Sequence, residues 1–306
     1  MAGVSKLRLI QFRAGYNLPV HAGRERGIFE RHGLDIDITF TPGSLYLSDA
    51  LRKGEFEIGH TGADDIVADV EEFGGGTEAL FIFMGLHSGL VSIVGAPGIT
   101  TVKALRGKEL AVDARSSGFV FILEKLLRSN GFGPGDYELV EIGGVDRRYQ
   151  ALLEGKVAGT MLLPPFAGNA VARGCHVLAR GDQIVPSYQG TVGAAQRSWG
   201  ERNPALLVNY IRAYVEATQW CFDIDNRDAC KALLATHNGL EGQAAEEALD
   251  ALLDLNYGIY PKAAVNIPGL KSVLELRAEM GFLEPPLPPV DKYIDLSYYD
   301  RAVGKS

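Results

Sequence analysis

The stretch Ala50-Leu51-Arg52-Lys53-Gly54-Glu55-Phe56-Glu57-Ile58-Gly59-His60 returns as Ala151-Leu152-Leu153-Glu154-Gly155-Lys156-Val157-Ala158-Gly159-Thr160-Met161. Each copy reads as a helix that ends on Gly, the residue that enters a left-handed C-cap at least cost. A short apolar strand follows at once. The first strand ends in the loop His60-Thr61-Gly62-Ala63-Asp64-Asp65, the second in Leu162-Leu163-Pro164-Pro165-Phe166. Ala-Leu-x-x-Gly alone is a common helix end. Its return with a matching strand, after about the length of one α/β domain, predicts two similar lobes. Each lobe would present the C-terminal end of an equivalent strand, which is where open α/β sheets hold ligands.

Outward from the repeat, strands and helices alternate. The first strand is read at 7–12, the next at 34–40, and others at 56–60, 80–84, 109–114, 137–142 and 177–179. Helices fall between them, including one from Val20 to His32, capped by Gly33. Such alternation implies mostly parallel sheets. Leu90–Gly95 reads as a strand leaving the first lobe, and Tyr188–Ala195 as the return crossing. From Asn203, a good N-cap followed by Pro204, the pattern becomes helical, with helices at 204–222, 227–236, 242–254 and 268–280. A Pro-rich stretch, 283–290, and a short amphipathic segment, 293–299, follow. The expected division is residues 1–93 plus 194–306 for lobe 1, and 94–193 for lobe 2.

The chain has 306 residues, 46% hydrophobic and 22% charged, with a formal charge of −8. It is long enough for two domains with a sizeable core. The acidic balance argues against nucleic-acid binding, which needs a basic face. It leaves room for a local basic pocket. Cys175, Cys221 and Cys230 form no C-x-x-C pair, so neither a disulfide framework nor a structural zinc site is expected. Cys221 and Cys230 fall near segment ends and read as small buried thiols. No apolar run is long enough to span a membrane. Met1 leads almost directly into the first strand with no apolar leader, so the chain reads as cytoplasmic as written, and as periplasmic if a leader had been removed.

Arg115-Ser116-Ser117-Gly118 follows a strand and opens a helix. Free backbone N–H groups there favour an anion, and Arg115 suits a carboxylate or sulfonate. The alternative is a plain N-cap with a surface charge. The first loop offers Arg13, Tyr16 and Asn17 at a strand end. The second offers His60, Thr61, Gly62 and Ala63. His60 is more often a packed side chain than a base. Asp64 and Asp65 read as helix caps rather than metal ligands. Gly144 would let a ligand approach the backbone, with Arg147 near it and Arg148 facing solvent. Pro164-Pro165-Phe166 would make an apolar wall, while Phe119, Tyr188 and Trp199 are candidates to stack on a ring, each also a candidate for the core. Nucleotide, hydrolase and zinc-protease motifs are missing, so no metal and no cofactor are expected.

In order along the chain, these pieces resemble the periplasmic-binding-protein-like family. That family includes nitrate, sulfonate and taurine binding components of ABC importers and the NMT1/THI5-like proteins. The carriers are Gly15-Tyr16, Pro19, Gly27-Ile28-Phe29 and His32-Gly33-Leu34-Asp35-Ile36, the first repeat copy, Val102-Lys103-Ala104-Leu105-Arg106-Gly107-Lys108, Arg115–Gly118, and the second copy through Pro164-Pro165. The resemblance covers at least residues 7–200. Ala158 departs from it, standing where such proteins often carry an acid. The resemblance implies a type II fold, two α/β lobes clamping a ligand between crossing strands. It implies contacts at Tyr16, Asn17, His60–Ala63, Ser116, Ser117 and Gly144. The expected ligand is a small organic acid, aromatic or heterocyclic, held with help from Arg13, Arg115, Gly118 and Pro164. An importer permease is a possible partner, without membrane insertion of this chain. The alternative is a cytosolic enzyme on the same scaffold, a cofactor-free decarboxylase or other lyase using Arg115 with His60 or His21. Some enzymes similar in scaffold use a cysteine in the first loop, and Tyr16-Asn17-Leu18-Pro19 has none.

Overall fold

A computed structural model describes residues 4–240 and 242–304. Among these residues ten strands form two five-stranded sheets. The first holds β1 (Ser5–Gln11), β2 (Leu34–Phe40), β3 (Ile58–Gly62), β4 (Leu80–Gly85) and β10 (Thr191–Gln196), in the order β2-β1-β3-β10-β4. The second holds β5 (Ser92–Gly95), β6 (Glu109–Val112), β7 (Glu138–Glu141), β8 (Gly159–Leu162) and β9 (His176–Arg180), in the order β7-β6-β8-β5-β9.

The two sheets repeat each other. Leu9 pairs with Ile58 in parallel, and Leu110 with Gly159, so both partners recur 101 residues later. Helices Ser44–Arg52 and Val145–Leu153, nine residues each, recur at the same spacing. Both end alike. Gly54 and Gly155 stand at φ of 70° and 69°. Glu55 N–H bonds to Ala50 C=O at 2.9 Å, and Lys156 N–H to Ala151 C=O at 3.0 Å, which closes a Schellman turn in each copy. In each sheet the antiparallel member, β10 or β5, is the strand that has just crossed between lobes.

Sheet membership places Ser92 and Ile93 with the second lobe and Thr191–Gly193 with the first. The crossings therefore run a few residues ahead of 93/94 and 193/194. They pass so close that a Cβ on Gly190 would sit 2.5 Å from Gly89 N, and Gly89 itself has φ of 111°. The helix expected over 20–32 is two, Leu18–Glu25 and Ile28–Arg31, separated at Gly27 with φ of 65°. The final segment is helical over Ser297–Val303.

Helix Pro204–Phe222 covers one face of the first sheet, with Tyr210 and Tyr214 fully buried among its apolar residues. Its buried face is apolar, and Arg212 and Gln219 on the opposite side are exposed. Helix Ile267–Glu279 touches both lobes. It packs on helix Ala63–Phe73 of the first and on helix Gly118–Ser129 of the second.

Candidate functional site

Between the lobes lies a narrow cavity of about 50 Å³. It opens at the C-terminal ends of β1 and β3 on one side, and of β6 and β8 on the other. Those strand ends leave backbone groups unpaired and send the following loops inward. Lobe 1 supplies Phe12, Tyr16, Gly62, Ala63, Asp64 and Asp65, with Gly190 and Thr191 from the returning strand. Lobe 2 supplies Asp113, Ser117, Gly118, Phe119, Val145, Arg148, Met161 and Leu163. Tyr188 comes from the crossing.

Three carboxylates set the electrostatics. Asp65 is the cap of its own helix, accepting from Gly62 N–H at 3.0 Å and from Thr61 Oγ1 at 2.7 Å. Burial pushes its carboxyl up to about 7, with the charges of Asp64 and Asp113 adding to the rise and the Thr61 and Gly62 donors opposing it. Asp64 is 2% exposed and pairs through Oδ2 with Arg277 Nη1 at 2.9 Å, while its Oδ1 has no partner. Burial outweighs the arginine and raises Asp64 to about 6. Asp113 accepts from Ser44 N–H across the cleft at 3.2 Å.

The guanidinium on the cavity wall is Arg148. It is 3% exposed, against the solvent-facing position expected from sequence. Its Nη atoms donate to the carbonyls of Gly143 at 2.7 Å and Met161 at 3.2 Å, which leaves Nε unpartnered. Burial pulls its pKa down, and Asp113 and Asp146 oppose the fall. Aromatic walls complete the space. Phe119 and Tyr188 lie tilted at 6.2 Å, and Tyr16 packs against His87 at 4.7 Å.

Of the residues expected at the site, Tyr16, Gly62, Ala63, Ser117 and Gly118 line this space. Phe119 and Tyr188, expected as stacking candidates, line it as well, and the remaining expected residues lie elsewhere. Arg13 is exposed and sits over the Phe40 ring at 4.1 Å. Arg115 is exposed and donates to the Leu139 carbonyl, away from the cleft. Asn17 donates to the Phe12 carbonyl at 2.6 Å, a local brace for the first loop. His60 is fully buried in lobe 1, 2.8 Å from the Tyr210 hydroxyl and edge-on to Tyr214. Burial lowers it to about 3, so it stays neutral. His21 stacks on His237 at 3.7 Å in a separate recess. Thr61 acts through Asp65. Trp199 packs against the lobe 1 core.

Three expected residues tie the lobes together instead. Pro164 C=O accepts from Gly15 N–H at 3.1 Å, Gly144 N–H donates to Pro42 C=O at 3.0 Å, and Ser116 C=O lies 3.5 Å from Arg277 Nη1. Gly118 marks the tightest approach, since a Cβ there would lie 2.3 Å from the Tyr188 hydroxyl and 2.6 Å from Asp64 Cβ. Sequence reasoning passed over Asp113, Arg148, Thr191 and Arg277. Asp113 had a signal, because it follows β6 as Phe12 follows β1. Arg148 had one as well, lying on the helix face that also buries Val145 and Leu152. Arg277, 213 residues from Asp64, had none.

A family model described as the NMT1-like family matches residues 3–235. No curated protein sequence matches the chain. Solved structures do. The periplasmic nitrate-binding protein NrtA of Synechocystis PCC 6803 aligns over 98% of this chain and 89% of its own, with TM-score 0.82 and 14% identity. The ligand-binding component of an ABC-type import system of Staphylococcus aureus, with zinc bound, aligns over 99% and 100%, with TM-score 0.79 and 14% identity. The alkanesulfonate-binding protein SsuA of Xanthomonas axonopodis pv. citri, bound to MOPS, aligns over 95% and 99%, with TM-score 0.76 and 19% identity. At these identities the likeness is one of fold, the two-lobed type II periplasmic-binding-protein architecture. Among the described residues no three His, Cys, Asp or Glu side chains gather as a metal site, and no helix is long and apolar enough to cross a membrane.

Proposed function

The chain belongs to the NMT1-like family, and on that premise we propose that it is the substrate-binding component of an ABC-type importer. It closes its lobes on a small ring-bearing ligand and presents it to a permease outside the cytoplasmic membrane. The ligand carries hydrogen-bond donors or positive charge, as a heterocyclic or aromatic amine does. One observation carries this choice of chemistry: Asp64, Asp65 and Asp113 line an aromatic cavity whose wall guanidinium, Arg148, already has its Nη atoms bonded to carbonyls. An organic acid, the ligand expected from Arg13 and Arg115, would find neither arginine in the cavity. It would meet Asp113 and, above about pH 7, an ionised Asp65, with Asp64 already paired to Arg277, in a space where burial strengthens each repulsion. Tyr16, Phe12, Phe119 and Tyr188 supply the faces on which a ring stacks.

The lyase alternative loses its named residues, since His60 lies in the lobe 1 core, His21 in another recess, and Arg115 turns its side chain onto the backbone of the second lobe's outer strand. Asp65, with a pKa of about 7, is the group that would suit a general base if the protein were an enzyme.

Calorimetry with benzamidine and benzoate, at pH 6 and pH 8, tests the reading. A cationic ring needs Asp65 ionised. Its carboxyl is mostly protonated below about 7 and mostly charged above, so benzamidine affinity is expected to rise by up to about tenfold between the two pH values. Benzoate is expected to bind more weakly at both. Tighter binding of benzoate, with no rise for benzamidine, overturns the proposed ligand class. Multiple-turnover formation of a new product from either probe would replace binding protein with enzyme.

A further inference from the structure

Two thiols outside the cleft meet. Cys221 stands in the last turn of helix Pro204–Phe222, and Cys230 in the first turn of helix Arg227–Asn238. The one-turn 3₁₀ segment Ile224–Asn226 folds the second helix back on the first. Asn226 Nδ2 pins that turn by donating to Trp220 C=O at 3.0 Å, and Asp223 N–H donates to the same carbonyl at 3.3 Å. Cys230 Sγ lies 3.8 Å from the Cys221 carbonyl. The side chains are 1% and 0% exposed, so no other thiol reaches either once the helices have docked. Cys175, the third cysteine, is buried in the second lobe beside β9.

We propose that Cys221 and Cys230 close to a disulfide in an oxidising compartment, joining the long lobe 1 helix to the helix that follows it. The pair is chemically asymmetric in the way exchange requires. The Cys221 S–H and the nearby charges of Arg26 and Arg227 pull the Cys230 thiol down, whereas burial pushes the Cys221 thiol up. Once ionised, Cys230 is the nucleophile. It attacks one sulfur of an external disulfide, of a small molecule or of a protein, and expels one thiolate. Cys221 then loses its proton and attacks the Cys230 sulfur of the mixed disulfide, expelling the second. Two protein thiols and one external disulfide become one protein disulfide and two external thiols. The reaction precedes or accompanies docking of helix 227–238, because the docked pair is closed to solvent. In the cell the bridge depends on the location that the proposed function implies, but its chemistry does not depend on any ligand.

The test is refolding of the denatured, reduced full chain in buffered oxidised glutathione, followed by alkylation and peptide mapping. The expected product has lost about 2 Da. It carries a Cys221–Cys230 cross-link and an alkylated Cys175. In thermal unfolding the oxidised chain is expected to melt about 2–4 °C above the reduced chain, and Cys221→Ala/Cys230→Ala should be indifferent to reductant. Three alkylated cysteines, or a cross-link that includes Cys175, would overturn the pairing. If the bridge forms in vitro while benzamidine and benzoate both fail to bind, the ligand reading has failed and the pairing stands.

Discussion

The two copies of the repeat end at the same place in the fold and do opposite work. After β3 the chain enters a helix within one residue, and Asp64 and Asp65 sit in that helix's first turn. The N-terminal N–H groups and dipole favour carboxylates there. After β8 the chain instead makes the cis Pro164-Pro165 bond and offers a carbonyl to Gly15 and an apolar edge. The same exchange runs along the whole cleft. Phe12 and Tyr16 of lobe 1 occupy the positions of Asp113 and Ser117 of lobe 2, 101 residues on, and all four line the cavity. One ancestral-looking frame thus sets an aromatic group opposite a polar one at each step. The repeat specifies where side chains are delivered. The local residues specify what is delivered.

The largest effect expected from breaking this comparison lies at the joint of the two lobes. Arg277→Met leaves Asp64 buried beside Asp65 and Asp113 without its ion pair. Chemical denaturation should report a loss of about 3–5 kcal/mol, and adding Asp64→Asn should recover most of it. A loss below about 1 kcal/mol would show that the C-terminal helix is not what holds Asp64. Next comes the tightest approach of the lobes. Gly118→Val places a branched side chain where the Tyr188 hydroxyl and Asp64 Cβ already stand. Benzamidine affinity should fall by at least about tenfold with little change in melting temperature, because open lobes relieve the clash. Unchanged affinity would mean that the ligand does not require this closure. The smallest effect is expected at Arg115→Ala, where affinity for either probe should stay within about twofold, since the side chain bonds to the β7 backbone. Loss of binding there would return the charge-bearing role to lobe 2 and revive the organic-acid reading.

Much of the fold was legible because its signals are local. Gly54 and Gly155 announce the left-handed helix ends, and Asn203-Pro204 announces the long helix. The alternation in 34–40 announces a half-exposed strand. These depend on a few neighbouring residues and on backbone sterics. The crossing strands look like any other strand until their partners are known, so which sheet each joins was not legible.

The site was legible in place more than in content. Sequence pointed to four strand ends that the fold brings together, and Tyr16, Gly62, Ala63, Ser117 and Gly118 line the cavity there. The charges were misplaced. Arg115 and Arg148 look equally solvent-seeking in one dimension, but one lies on the outside of lobe 2 and the other under a closing lobe. His60 shares a strand face with Ile58 and turns toward Tyr210, while the residues just past it enter the cavity. Asp64 was correctly seen as a helix-start residue, but its partner is 213 residues away. Backbone form follows from short-range sterics and hydrogen bonding, so it is written in neighbouring residues. The sign of a pocket follows from which buried charges are brought together and which are compensated, and only the closed packing of both lobes against the C-terminal helix sets that.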